Sequence, residues 1–204
     1  MNTTDIYLVH TPLHILFTLN LIQQDPAQSP ALVFVLGDFP DSRAVEERVQ
    51  QSLGNRHRVL HLPGSYLHTH QSVSAKVFRH VNGVRAFLKA RHIYQTVAVK
   101  RLMVFNDTRS EIQAIIHDLR GREVERVLYI EDGLAAYYRS HQRRNPKSAL
   151  LLRILYRGAE PIMTHGAYSG TDEAILLHPD FANQSLQKKP RTQMPRFVLN
   201  TEQI

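Results

Sequence analysis

The segment Ile6-Tyr7-Leu8-Val9-His10-Thr11-Pro12 joins a short apolar run to the start of a helix. Residues 6–9 form a continuous apolar run of the kind that a fully buried strand shows. Thr11 suits the N-cap position, and Pro12 suits the first helical turn, where a missing N–H costs nothing. The segment therefore predicts a buried strand that passes directly into a helix.

The same alternation of apolar runs and helical spacing continues along the chain. Strands are predicted at residues 6–9, 31–36, 58–62, 102–105, 127–130 and 174–177. Helices are predicted to begin at Pro12 and to cover residues 42–53 and 73–88. A fourth helix is predicted to run to about Leu119, with Thr108 as its N-cap and Glu111 completing a capping box. Strands that alternate with helices predict an α/β fold, a Rossmann-like parallel sheet with helices on both faces.

The composition is that of a globular protein with a basic surface. The chain has 204 residues, 43% of them hydrophobic, no cysteine and a formal net charge of +7. The absence of cysteine excludes disulfides, cysteine zinc sites and thiol nucleophiles. The charge favours an anionic partner, which could be a nucleic acid, a membrane surface or an acidic glycan, although an inert basic surface also explains it.

The N-terminus lacks the features of a signal peptide. Residues 1–5 carry no basic side chain, and His10, Pro12 and His14 interrupt the apolar run. No window reaches the roughly 20 apolar residues of a membrane span. The sequence therefore predicts a cytoplasmic protein that can be peripheral to the inner membrane.

Several common catalytic motifs are absent. The chain contains no G-x-G-x-x-G, P-loop, G-x-S-x-G, H-E-x-x-H or D-x-D motif. His68 and His70 could hold a metal, but no carboxylate lies nearby in the sequence. We therefore expect no metal site.

Polar residues follow the predicted strands, where parallel sheets bind ligands. They are His10-Thr11, Gly37-Asp38, Asn106-Asp107 and Glu131-Asp132-Gly133. Two adjacent carboxylates in a cleft raise the pKa of at least one of them, which suits a general base acting on a sugar hydroxyl. An ordinary turn at the end of a strand explains the same tripeptide. The helix N-terminus behind Thr11 favours an anion or a hydroxyl-bearing ligand, or it is simply a capped helix.

A basic run follows the acidic pair and includes Arg143 and Arg144. It is either a solvated face or a groove for a polyanion or an acidic lipid surface.

Taken in order, these motifs resemble those of bacterial polysialyltransferases and lipooligosaccharide sialyltransferases. The resemblance rests on residues 6–14, on Tyr129-Ile130-Glu131-Asp132-Gly133 with Tyr137, and on residues 164–166 followed by His178-Pro179. It implies one half of a GT-B type enzyme of capsule or lipooligosaccharide biosynthesis. The implied reaction transfers sialic acid from CMP-sialic acid to a glycan, with inversion and without a metal or other cofactor.

The resemblance also assigns roles to residues. Glu131 would be the base and Asp132 would support it. His10, Thr11, Asn106, Asp107, Gly133, Arg143 and Arg144 would bind an acidic glycan acceptor. His178 would correspond to the histidine of the donor site.

The domain organisation departs from that family. His178 lies only 46 residues after Asp132, a gap too short for a second mononucleotide-binding half, because one βαβ unit needs about 30 residues. We expect an acceptor-side domain at residues 1–185, and a linker with the start of a second domain at 186–204. Such a chain would be a fragment, a split enzyme or a degenerate relative, with at most very weak transferase activity alone.

Two other functions remain open at the level of sequence. The first is a noncatalytic module that binds an anionic glycan or membrane surface. The second is a nucleic-acid-binding protein, which has thin support because the tyrosines are dispersed rather than interleaved with basic residues. We therefore expect no nucleic-acid partner.

Overall fold

A computed structural model describes residues 3–25, 27, 29–64, 73–131, 133–137, 153–154, 156, 160, 162 and 164–196, with the backbone alone at 73–76. The strands are β1 (Thr4–Val9), β2 (Ala31–Leu36), β3 (Arg58–Leu62), β4 (Val99–Val104), β5 (Arg126–Ile130), β6 (Glu173–Leu176) and β7 (Arg191–Gln193). The helices are α1 (Pro12–Gln23), α2 (Ser42–Leu53), α3 (Val73–Tyr94), α4 (Ser110–Arg120) and α5 (Gln184–Gln187), with 3₁₀ turns at Gly133–Ala136 and Pro179–Phe181.

In the described part of the chain, seven parallel strands form one sheet in the order β3-β2-β1-β4-β5-β6-β7. The interior strand β1 pairs with β2 on one side and with β4 on the other. The register places Ile6 opposite Leu32 on β2 and opposite Leu102 on β4. The predicted α/β parallel fold is confirmed.

The two faces of the sheet bury different sets of side chains. Tyr7 and Val9 of β1 pack with α1 and α2 on one face, whereas Ile6 and Leu8 pack with α3 and α4 on the other. The alternation follows from the strand period of two. Both faces are covered, which explains why β1 and β2 read as unbroken apolar runs.

The start of α4 differs from the prediction. The helix begins at Ser110 with Arg109 as its N-cap, and the N-cap side chain makes no capping bond. The Thr108 hydroxyl donates instead to Asn106 Oδ1, at 2.7 Å. Glu111 pairs with Arg109. The predicted capping box is therefore wrong, because its two members have nearer partners.

The aliphatic stripe of α3 faces outward. Val77, Val81 and Leu88 are 58%, 40% and 53% exposed, while Ala86 and Ala90 face the core. Small side chains allow α3 to approach the sheet and α4 closely. Helical spacing predicted the helix correctly but did not identify its buried face.

The segment from residue 186 packs against the same sheet. Leu186 of α5 is fully buried, β7 pairs with β6, and Met194 is buried against the face that α1 and α2 cover. The division into domains at 185/186 remains a prediction, but residues 186–194 extend the sheet rather than leave it. In the described residues, no helix is long and apolar enough to cross a bilayer.

Candidate functional site at the carboxyl edge of the sheet

The strand order reverses beside β1, so the carboxyl ends of β1 and β4 open a crevice between them. Helix α1 leaves this point on one face of the sheet and α4 leaves it on the other. Ligands of open α/β sheets bind at such a point. His10 and Thr11 follow β1 there, and Asn106 follows β4.

His10 is buried at this point, with 7% of its surface exposed. Its ring contacts His14 edge-on, with 4.3 Å between centroids, and His14 stacks on Phe105. Burial, followed by the nearby His14 and Arg109, holds the pKa of His10 well below its usual value. The ring is therefore neutral, and its Nε2 has no hydrogen-bond partner among the residues that the structure describes.

Thr11 caps α1 as predicted. Its backbone is extended, and its hydroxyl accepts a hydrogen bond from the His14 amide at 3.2 Å. The side chain is partly exposed. The cap satisfies one amide of the first helical turn, and the positive end of the α1 dipole lies beside His10.

Asn106 and Asp107 have structural partners. Asn106 Oδ1 accepts from the Thr108 amide at 3.0 Å, forming an Asx turn. Asp107 is fully buried, and its two carboxylate oxygens accept the amides of Gly166 and Tyr168 at 2.8 and 3.0 Å. Burial raises the pKa of Asp107, against these amide bonds. Its carboxylate therefore anchors the loop at 164–168 rather than opening to a ligand.

A charged cluster that we did not predict bridges β2 and β4 at this edge. Arg109 pairs with Asp38, just past β2, and with Glu111 on α4. The three side chains are 9–21% exposed. Arg109 is also near enough to His10 to help lower the pKa of that ring. Sequence indicated Asp38 as a residue after a strand, but nothing indicated its partner 71 residues away.

Glu131 follows β5 and is also buried, at 3% exposure. Its Oε2 accepts the hydroxyl of Tyr137 and the amide of Leu177, the latter at 2.6 Å. Burial and then the bond to Glu131 raise the pKa of Tyr137, which keeps this phenol a proton donor. Tyr137 therefore holds the carboxylate in place at the carboxyl edge.

His178 connects to Glu131 through the same tyrosine. Its amide donates to Tyr137 Oη at 3.1 Å, and the two rings lie 6.4 Å apart. Gly133 takes the left-handed conformation, with φ of +57°, that allows the chain to turn after β5. Asp132, Arg143 and Arg144 lie outside the described residues, as do His68 and His70, so their roles remain predictions.

A cleft of about 650 Å³ opens above β2 and β3 on the same edge. Ser42, the first residue of α2, and His61 of β3 line it, with 3.0 Å between Oγ and Nε2. Arg43, Phe78 and Asn82 line it as well. Burial lowers the pKa of His61. Sequence analysis did not predict Ser42 and His61, because only the packing of α2 on β3 joins them.

Comparison with known proteins identifies the fold. No family model matches the chain, and no curated protein matches it. Phytolacca americana UGT2 complexed with UDP-2-fluoro-glucose and pterostilbene is 9% identical, with a TM-score of 0.55 over 98% of this chain and 55% of that one. Arabidopsis thaliana UGT89C1 complexed with UDP-L-rhamnose is 11% identical, with a TM-score of 0.55 over 97% of this chain and 53% of that one.

The chain spans about half the length of these solved structures. The fold is that of one GT-B half-domain, as the sequence predicted. At 9–11% identity the similarity concerns the fold alone.

Proposed function

We propose that these residues form the acceptor side of a glycosyltransferase, which moves a sugar from a nucleotide donor to a hydroxyl of a glycan. The observation that carries the proposal is Glu131, a buried carboxylate fixed by Tyr137 and the Leu177 amide at the ligand-binding edge of a GT-B half-domain. A carboxylate held at such a point suits general-base chemistry on a hydroxyl.

The sequence resemblance favours sialic acid from CMP-sialic acid as the donor, with an acidic glycan as the acceptor. The two solved structures of similar fold carry UDP-sugars. The choice of CMP-sialic acid as the donor therefore rests on the sequence resemblance. The net charge of +7 suits an acidic acceptor, because a positive surface draws it electrostatically. No step of the proposal passes through a metal or another cofactor.

The geometry suggests a separate role for each of Glu131, Tyr137 and His10. Glu131 removes the proton of the acceptor hydroxyl as the new glycosidic bond forms. The bond between the sugar and its nucleotide breaks in the same step, and the nucleotide leaves with the electron pair of that bond. Tyr137 keeps the carboxylate oriented by donating to Oε2. His10 presents a neutral ring whose Nε2 lacks a described partner, but its lowered pKa makes it a weak base. We therefore assign the role of general base to Glu131, whereas His10 lines the crevice.

The test mixes the purified protein with a donor-binding half-domain supplied as a second chain, because the protein alone is expected to have at most very weak activity. The donor is CMP-sialic acid or a UDP-sugar, and the acceptor is an oligosialic acid or a neutral maltooligosaccharide. Mass spectrometry measures the extended acceptor, and ligand-observed NMR measures acceptor binding. Glu131→Gln, which keeps shape and hydrogen bonding, is expected to bind acceptor normally and to lose about 10²–10⁴-fold of the transfer rate. His10→Gln is the comparison variant and is expected to lose less.

Each outcome decides a separate part of the proposal. Extension by a UDP-sugar alone would overturn the sialic acid donor and keep the transferase. Acceptor binding without transfer from either donor, and unchanged in Glu131→Gln, would support the alternative, a noncatalytic glycan-binding module. Binding of neither acceptor would overturn both. Greater loss in His10→Gln than in Glu131→Gln would assign the base to His10.

A further inference from the structure

Helix α3 presents to solvent a face that is both aliphatic and cationic. We call Val77, Phe78, Val81, Arg85, Leu88 and Lys89 the α3 docking face. All six side chains are exposed, and the four apolar ones are 40–58% exposed. Isolated apolar side chains are common on protein surfaces, but four on one face of one helix mark an interaction surface.

The charge of α3 has a single sign. Its 22 residues include no aspartate or glutamate, whereas they include Lys76, Arg79, Arg85, Lys89 and Arg91. At 3.6 residues per turn, Arg85 and Arg91 lie roughly 60° to either side of the line through Val81 and Leu88. Arg91 pairs with Asp118 of α4 at 3.2 Å, and Lys89 reaches the His61 carbonyl at 2.6 Å. Arg85 lies between the aliphatic line and Lys89.

We propose that the α3 docking face binds the surface of an anionic lipid bilayer. Aliphatic side chains at the centre of the face can enter the boundary between headgroups and acyl chains, while the flanking cations contact lipid phosphates. The charge pattern selects this occupant over a second copy of the chain. Two copies meeting through this face would bring acid-free, cationic helices together.

The face lies beside the candidate site. Phe78 belongs to it and also lines the 650 Å³ cleft, together with Asn82 one turn further along α3. A bilayer bound through α3 would therefore lie at the rim of that cleft. The docking inference does not depend on the proposed transferase activity, because it uses only the exposure and charge of α3.

Vesicle co-sedimentation tests the inference with the full chain. The probes are vesicles of phosphatidylcholine alone, and vesicles that also contain phosphatidylglycerol, an anionic lipid that gives the surface a negative potential. We expect binding to the anionic vesicles, little to the neutral ones, and release as salt is raised, because salt screens the attraction. Equal binding to both vesicle types, or none to the anionic vesicles, would overturn the proposal.

Two paired variants locate the binding surface. Val81→Gln with Leu88→Gln removes the aliphatic line, and Arg85→Gln with Lys89→Gln removes two flanking charges. Each pair is expected to weaken binding to anionic vesicles by about ten-fold. The matched control, Leu134→Gln with Arg48→Gln, changes an exposed apolar residue and an exposed cation elsewhere and is expected to bind as the unchanged protein does.

All the changed side chains are exposed, so each variant is expected to fold. Urea unfolding midpoints check this expectation. Unchanged binding by both α3 pairs would place the lipid contact elsewhere and overturn the proposal. Size-exclusion chromatography tests whether the α3 docking face instead joins two copies of the chain. A dimer that the Val81 and Leu88 changes convert to monomer would show that the face joins two copies instead.

Discussion

Gly166 illustrates how one residue holds the loop behind the site. Its φ is +76°, and an added Cβ would overlap the Leu186 side chain. The same residue donates its amide to Asp107 at 2.8 Å. A side chain here would therefore strain the backbone and also displace the fully buried Leu186 of α5.

Gly166→Ala is expected to lower the free energy of unfolding by about 2–4 kcal/mol, the sum of a left-handed alanine and an overpacked neighbour. Gly133→Ala is the matched control, because Gly133 has a φ of +57° but nothing within 4 Å of an added Cβ. It should lose only the backbone part, about 1–2 kcal/mol. Urea denaturation measures both, and equal losses would contradict the packing contribution.

Sequence could indicate site residues that follow strands, but not the partners that fix them. Glu131 and His10 were predicted because polar residues after apolar strands reach the ligand-binding edge. Tyr137 was noted only through the resemblance, and Arg109 and His61 were missed. Their contacts depend on which strands become neighbours, and single-residue patterns do not contain that information.

At the scale of elements, the cap of α1 was predicted from Thr11-Pro12 and confirmed. The capping box of α4 failed because Asn106 and Arg109 compete for Thr108 and Glu111. Strand β7 was missed since its three residues are polar and exposed, as an edge strand allows. Local signals therefore predicted a helix cap correctly only where no neighbouring side chain competed for its members.

Replacement of Thr11 tests the α1 cap. Thr11→Ala removes the oxygen that accepts the His14 amide and is expected to reduce the free energy of unfolding by about 0.5–2 kcal/mol. Thr11→Ser keeps the oxygen and should retain most of the stability. Thermal or urea unfolding compares the two, and a loss of similar size in both would show that the threonine methyl, rather than the cap, contributes the stability.

At the scale of the whole molecule, the alternation of apolar runs and amphipathic helices predicted a parallel sheet covered on both faces. The position of the crevice follows from the strand order, with β1 between β2 and β4. That order depends on α3, which connects β3 to β4 across the face opposite the one that α1 and α2 cover. The exposed stripe of α3 is aliphatic, and its buried face carries glycine and alanine. The sequence pattern of α3 therefore indicates the wrong face as the one that packs on the sheet.

Three histidines that are buried or partly buried make the stability of the whole molecule depend on pH. Burial lowers the pKa of His10, His57 and His61, so the folded protein keeps these rings neutral where the unfolded chain, with a histidine pKa of about 6.5, becomes protonated. The unfolded state then binds more protons than the folded state. The stabilisation is therefore complete above about pH 6.5 and is lost as the pH falls below it.

His10→Asn isolates the most deeply buried of these rings. Between pH 6.5 and 5, the slope of unfolding free energy against pH should fall by up to about 1.4 kcal/mol per pH unit relative to the unchanged protein. Comparing slopes removes any constant loss from altered packing. His92→Asn, at an exposed position on α3, controls for the loss of a histidine. Parallel stability curves for His10→Asn and the unchanged protein would mean that His10 becomes protonated in the folded state as readily as in the unfolded one.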